Sequence, residues 1–190
     1  MITVTVAADI LRAALIYTKQ DDLAGSTLRE EYQHLILDHT IVATDGHTMF
    51  IANPGEVKIE GTPRAVLLPR GFIEHIAKGA EPVTFMVGKQ AMDAEGNLYP
   101  IPKGDIVDWR KVYPRHTNGG TSQYNLVYLH RAVRANIELG ARADATAGEI
   151  PVHHNGSAGP CVLELHNRRA HVIVNHRYSN RDNGYQPFNV

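Results

Sequence analysis

Apolar and polar positions alternate along Ile2-Thr3-Val4-Thr5-Val6, then change at Asp9 to the spacing Ile10, Leu11, Ala14, Leu15. A period of two followed by one near 3.6 predicts a strand that runs into an amphipathic helix. The same order returns at Ala65–Leu68, where Pro69 stands at a helix start ahead of Phe72, Ile73, Ile76 and Ala77, with Gly79 as the stop. It returns again near Tyr124–Val127, followed by Leu129, Ala132, Val133, Asn136 and Ile137 and then Gly140. Helix starts near residues 9, 70 and 128 recur at intervals of about 60 residues, the mark of an internal repeat.

Each helix is followed by β-type segments. They are Tyr32–Leu37, Ile41–Ala43 and Thr48–Ala52 in the first unit, and Val83–Val87 with a later run up to Val112 in the second. The third unit has Ile150–His153, Cys161–Leu165 and Ala170–Val174. Turn chemistry separates them at Asp38-His39, Asp45-Gly46, Glu95-Gly96-Asn97 and Asn167-Arg168. The chain therefore reads as an α+β protein of three β-α-β-β-β units. Two units form a domain over residues 1–116 and the third a half-domain over 117–178, while 20–28, 115–122 and 141–149 read as loops and 179–190 as a flexible tail.

Composition narrows the function. Of 190 residues 43% are hydrophobic and 21% charged, which suits a folded globular chain. Nineteen Lys and Arg against 20 Asp and Glu leave a formal charge of −1, so a nucleic acid or a membrane would have to meet a local patch. A single cysteine, Cys161, excludes an internal disulfide. The N-terminus lacks a secretory pattern and no apolar run reaches the roughly 20 residues of a membrane span, so a cytoplasmic, reducing compartment is the expectation.

Eleven histidines invite a metal site, but His153 and His154 are adjacent and point to opposite faces of a strand. The others in strands, His34, His39, His47, His166, His171 and His176, show no ligand spacing. No phosphate-cradling glycine motif is present, and Cys161, after Gly159-Pro160, reads as a small buried residue. The expectation is no catalytic residue, no metal and no cofactor. Positive charge is the remaining signal. Arg12 and Lys19 lie on the first helix, Arg70 and Lys78 with His75 on the second, and Arg131 and Arg134 on the third with Arg142 beyond. All fall off the apolar stripes, and Glu74 and Glu138 dilute them.

Ile41-Val42-Ala43-Thr44-Asp45-Gly46-His47 closely resembles the "VATDGHRL" segment in the middle domain of the bacterial DNA polymerase III beta subunit, the replicative sliding clamp. Val66-Leu67-Leu68-Pro69-Arg70-Gly71-Phe72-Ile73 is similar to its "VIVPRKGVIEL", and Ile106-Val107-Asp108-Trp109-Arg110-Lys111-Val112-Tyr113-Pro114 to its "FPDYRRVLP". Arg29–Asp38 resembles the strand "RYYLNGMLFE", and His171-Val172-Ile173-Val174-Asn175-His176-Arg177 stands in the place of the closing "YVVMPMR".

The resemblance implies the clamp fold in a shortened, phage-like version: the middle domain plus half of the last. It implies a non-enzymatic processivity factor whose helices meet duplex DNA without reading its sequence, with Arg12, Lys19, Arg70, Lys78, Arg131 and Arg134 as the candidate contacts. It implies an apolar pocket for short linear motifs of DNA polymerase or other clamp-binding proteins. Carried over position by position, that pocket is Tyr32, Thr44, Gly46, His47, Thr48, Met49, Val107, Lys111, Val112, Val172, Val174, Asn175, His176 and Arg177. Thr48, Val107, Lys111 and Asn175-His176 depart from the family residues, and Asn175-His176 in place of a proline-methionine pair makes the pocket more polar. Unit counting against a closed ring implies a homo-oligomer, whereas an odd number of units per chain favours a monomer or dimer. Two rivals stand beside the clamp reading: a mimic that binds clients or the host clamp without encircling DNA, and a small metal-dependent enzyme using the histidines.

Overall fold

The structure, a computed structural model, describes residues 1–18, 32–79, 81–114, 126–141, 149–154 and 159–174. The first unit and its exit run β1 (Ile2–Ala7), α1 (Ala8–Leu15), β2 (Leu35–Leu37), β3 (Ile41–Thr44), β4 (Thr48–Ala52) and β5 (Val57–Glu60). The second runs β6 (Val66–Leu68), α2 (Arg70–Ile76), β7 (Pro82–Val87), β8 (Gln90–Met92) and β9 (Leu98–Pro100), and a short helix α3 (Trp109–Val112) follows. The third has α4 (Leu126–Glu138), β10 (Val152–His153), β11 (Cys161–Leu165) and β12 (Ala170–Val174).

Two antiparallel sheets result, ordered β5-β1-β7-β8-β9 and β10-β11-β12-β4-β3-β2-β6. The opening strand of each of the first two units joins the other unit's sheet: β1 lies between β5 and β7, and β6 pairs with β2. That exchange knits the two units together. The third unit is joined to the first by β12, which pairs along β4 from Ala170 opposite Ala52 to Val174 opposite Thr48.

The alternation of β1 does what it predicts, burying Ile2, Val4 and Val6. Helix α1 buries Ile10, Leu11, Ala13 and Ala14, and beyond its end Tyr17 stacks on Phe50 of β4 at 5.7 Å between ring centres. Helix α4 turns small residues inward, Ala132 and Ala135, with Asn136 accepting a 2.7 Å hydrogen bond from the His166 N–H. Its packing partner is α1. Arg12 of α1 joins all three long helices, donating to Glu138 at 2.9 Å and to the Ala77 and Gly79 carbonyls at 3.0 and 2.8 Å. Arg169 ties the third unit down through Asp9, Glu56 and the Leu139 carbonyl.

The main core lies between sheets and helices. A second apolar cluster covers the outer face of the seven-stranded sheet: Ile36, Val42, Met49, Ile51, Leu67 and Ile173, overlaid by Ile106, Val107, Trp109 and Tyr113. Apolar burial on both faces is what lets a chain of this length carry two sheets.

Several expectations change. Tyr32 lies in a turn ahead of β2, not in a strand. Leu126 and Val127, expected to close a strand, form the first turn of α4, and Tyr124 is outside the described residues. The run up to Val112 resolves into β8, β9 and α3, and β5 was not expected at all. The loops at 20–28 and 115–122, Lys19, Arg142 and the tail also fall outside the described residues. The expected turns sit where backbone φ is positive, at His39, Gly46, Gly96, Asn167 and Arg168.

Candidate docking face and helix layer

The Thr44–Thr48 turn is held from within. The buried Asp45 carboxylate accepts from the backbone N–H of His47 at 2.8 Å, of Thr48 at 2.7 Å and from the Thr48 hydroxyl at 3.0 Å. Thr44 Oγ1 donates to the Thr48 carbonyl at 2.7 Å and accepts from the Gly46 N–H at 3.1 Å. Gly46 has φ +85°, and a Cβ there would lie 3.1 Å from the Tyr32 ring, so both backbone and space require glycine. The other Asp45 oxygen is ion-paired with Arg131 of α4. His47 stacks against Tyr128 of the same helix at 6.3 Å. Burial alone would raise the Asp45 carboxyl, but the Thr48 and His47 N–H groups and Arg131 outweigh it and hold it below the ordinary carboxylate value.

Pairing register decides which side chains share a face. Met49 lies opposite Ile173 and Thr44, and Met49 and Ile173 both belong to the outer cluster together with Val107. Val172, opposite Phe50, and Val174, opposite Thr48, point into the main core, so they line no surface; His171 and Ile173 take the outer face, where Ile173 is buried in the outer cluster. Thr48 is likewise buried. Gly46 and His47 are exposed at the turn with Tyr32 against them, and Lys111 and Val112 are exposed on α3. Asn175, His176 and Arg177 lie outside the described residues.

Beyond α3 a cleft of about 450 Å³ opens at the far end of β4 and the start of β12. Trp109 and Tyr113, one helical turn apart, form one wall, and the Tyr113 hydroxyl and His171 Nδ1 share a 2.6 Å hydrogen bond. Sequence reading missed Trp109, Tyr113 and His171, although an aromatic pair at i and i+4 in a charged segment was the available signal.

Burial pushes the His171 imidazole below its usual 6.5, with His153 and Arg168 reinforcing and Glu164 opposing. A depressed base is neutral in the fold while the unfolded chain protonates, so its contribution is complete above 6.5 and is lost as pH falls through the lower folded value. The melting-temperature gap between wild type and His171→Gln is therefore expected to narrow as pH falls from 7 to 5 in a thermal unfolding series.

The helix layer treats its cations unequally. Arg12 is engaged as described, Arg70 bonds Glu74 at 2.7 Å and the Thr18 hydroxyl, and Arg131 pairs with Asp45. Lys78 and Arg134 are exposed. Among the described residues one group has metal-like proximity, His75, Asp93 and Glu95. The Asp93 carboxylate there already accepts from Asn97 N, Asn97 Nδ2 and the Tyr99 hydroxyl, which is the bonding of a turn.

Repeated β-α-β-β-β units, with helices in one layer behind antiparallel sheets and opening strands exchanged between units, are the architecture of the DNA clamp fold. Comparison with solved structures places this chain in the fold of the bacterial DNA polymerase III beta sliding clamp. The beta clamp of Helicobacter pylori bound to a DNA ligase peptide aligns with TM-score 0.71 and 12% identity over 93% of this chain and 65% of that one. The Pseudomonas aeruginosa sliding clamp with ligand aligns with TM-score 0.65 and 13% identity over 93% and 66%. The Bacillus subtilis sliding clamp gives TM-score 0.62 and 10% identity over 93% and 64%. The chain thus spans just under two thirds of the length of the clamps it matches. No family model and no curated relative matches the sequence. No described helix is long and apolar enough to cross a membrane.

Proposed function

We propose that the protein is a sliding-clamp-like accessory of DNA replication: a non-catalytic processivity factor that holds DNA polymerase or other clamp-binding proteins through a short linear segment and contacts duplex DNA without reading its sequence. The observation that carries this reading is the locked Thr44–Thr48 turn, with Gly46 and His47 presented at one end of the sheet that joins the first and third units. Tyr32, Gly46, His47, Lys111 and Val112, with Asn175, His176 and Arg177 following β12 in the chain, form the proposed client site. The DNA ligase peptide on the Helicobacter pylori relative supports a peptide as its occupant. Lys78 and Arg134, with Lys19, are the proposed phosphate contacts.

A second reading is favoured by one observation. Arg12, Arg70 and Arg131 are each engaged by a carboxylate of this chain, which leaves fewer cations for phosphate than the sequence suggests. A clamp mimic that binds clients without encircling DNA fits that balance.

Two titrations separate the readings: the DNA ligase peptide of the Helicobacter pylori clamp, and labelled duplexes of unrelated sequence over a range of salt. The clamp reading expects both to bind, all duplexes alike. Lys78→Ala with Arg134→Ala then lowers the slope of log affinity against log salt by about 0.9 for each phosphate no longer neutralised. Peptide binding without DNA binding establishes the mimic, and binding of neither overturns both.

A further inference from the structure

The cleft beyond α3 is not part of the client site just proposed. The turn at Thr44–Thr48 lies at one end of β4 and the cleft at the other, where Ile51–Pro54 meet Ala170 and His171. Lys111 and Val112 do not line it; Trp109, Arg110 and Tyr113 do. We infer that this cleft is a second peptide-docking site, which takes a bulky apolar side chain flanked by carboxylates.

Three features support it. The volume of about 450 Å³ lies within the range of ligand sites, and its floor is apolar, made by Ile51, Ala52, Pro54 and Ala170. Its walls are preorganised. Trp109 meets Tyr113 edge to face at 6.1 Å, Tyr113 stacks on His171 at 6.0 Å and is hydrogen-bonded to it, and the floor is paired sheet. Little ordering cost therefore falls on the protein when an anchor enters. Trp109 and Tyr113 are half-buried, and pockets walled by Trp and Tyr are where peptide anchors gain most.

The third feature is charge. The lining carries Arg110, Arg168 and the His171 ring, and no carboxylate. Arg110 lies over the Trp109 ring at 4.7 Å and shares Asp38, and Arg168 shares Glu164 at 3.2 Å, both acids lying outside the lining. A guanidinium has five donors, so each arginine keeps capacity for a second carboxylate at the rim. The occupant must then be apolar at its centre and anionic at its edges, which an acidic linear peptide with one aromatic residue satisfies.

Trp109 is the only tryptophan in the chain, so its fluorescence reads the cleft directly. The probes are an acetylated, amidated pentapeptide with a central Phe between Glu residues and the same peptide with Lys in place of Glu. The Glu peptide is expected to shift Trp109 emission saturably and to bind about tenfold more tightly than the Lys peptide. Arg168→Gln should weaken the Glu peptide by about threefold and Arg168→Glu by about tenfold, with the folded near-ultraviolet circular dichroism retained. His47→Ala, at the other end of β4, should leave it unchanged. Equal affinity for the two peptides, no saturable shift, or an Arg168→Glu protein that binds like wild type overturns the inference. A His47→Ala protein that loses binding moves the peptide to the client site and overturns it as well. Emission that changes with protein concentration alone gives the cleft to a second copy of the chain, with the same consequence.

Discussion

Asp45→Ala is expected to lose about 2 to 4 kcal/mol of stability, the cost of leaving the backbone donors that the buried carboxylate satisfies without a partner. Asp45 is 4% exposed. Its removal leaves the His47 and Thr48 N–H groups without their acceptor and leaves Arg131 of α4, its side chain 31% exposed, without its carboxylate. For a chain of this size each kcal/mol moves the melting temperature by about 2 to 4 °C, so the midpoint should fall by roughly 4 to 16 °C. Asp45→Asn keeps an acceptor oxygen but not the charge and should fall between wild type and Asp45→Ala. A double-mutant cycle with Arg131→Ala isolates the pair, because the other donors to Asp45 are common to both arms. An Asp45→Ala protein within 1 kcal/mol of wild type would show that the turn is held by its backbone alone. The Asp45 carboxyl is depressed in the fold, so its contribution is complete above 3.8 and is lost as acid takes the pH through the lower folded value.

Met49→Asp is expected to cost at least about 3 kcal/mol, since it places a carboxylate without a partner in an apolar cluster. The family resemblance places Met49 in the client pocket. The structure instead leaves it 6% exposed, packed in the outer cluster with Ile51 and Ile173 on its own sheet face. Met49→Leu, which conserves volume, should stay within about 1.5 kcal/mol of wild type by urea unfolding. If Met49→Asp melts with wild type, the outer cluster is open to solvent and Met49 regains a place among the docking residues. His47 and Val112, both exposed, are the better variants for tests of client binding.

The two predictions share a cause with the features that reading the sequence missed. Local chemistry was legible. Strand then helix followed from the period change at Asp9, and glycine at 46 and 96 and asparagine at 167 foretold positive φ. The Thr44–Thr48 turn was visible as a motif because its bonds run between neighbours. The face on which each strand residue lies was not visible. In β12 the run Val172-Ile173-Val174 is apolar throughout, and β3 and β4 are buried along their whole length, since this sheet is covered on both sides. Without alternation nothing local distinguishes one register from its neighbour, and a slip of one residue exchanges the two faces. Val172 and Val174, expected to line a pocket, thus lie on the core face, and His171 and Ile173 take the outer one.

The helix cations follow the same division. Arg12, Arg70 and Arg131 are evident as charges off the apolar stripes, and the α+β repeat is evident from the period of the pattern, because side-chain sequence and helical phase are properties of the local chain. Glu138 reaching Arg12, Asp45 reaching Arg131 and Trp109 with Tyr113 closing on His171 join residues far apart in the chain. The sequence by itself determined the strand-then-helix order of the first two units, the main turns and which residues carry charge. Only the tertiary structure decided which charges are neutralised, which apolar residues are core and where a cleft opens, because those depend on pairing register and helix packing between distant segments.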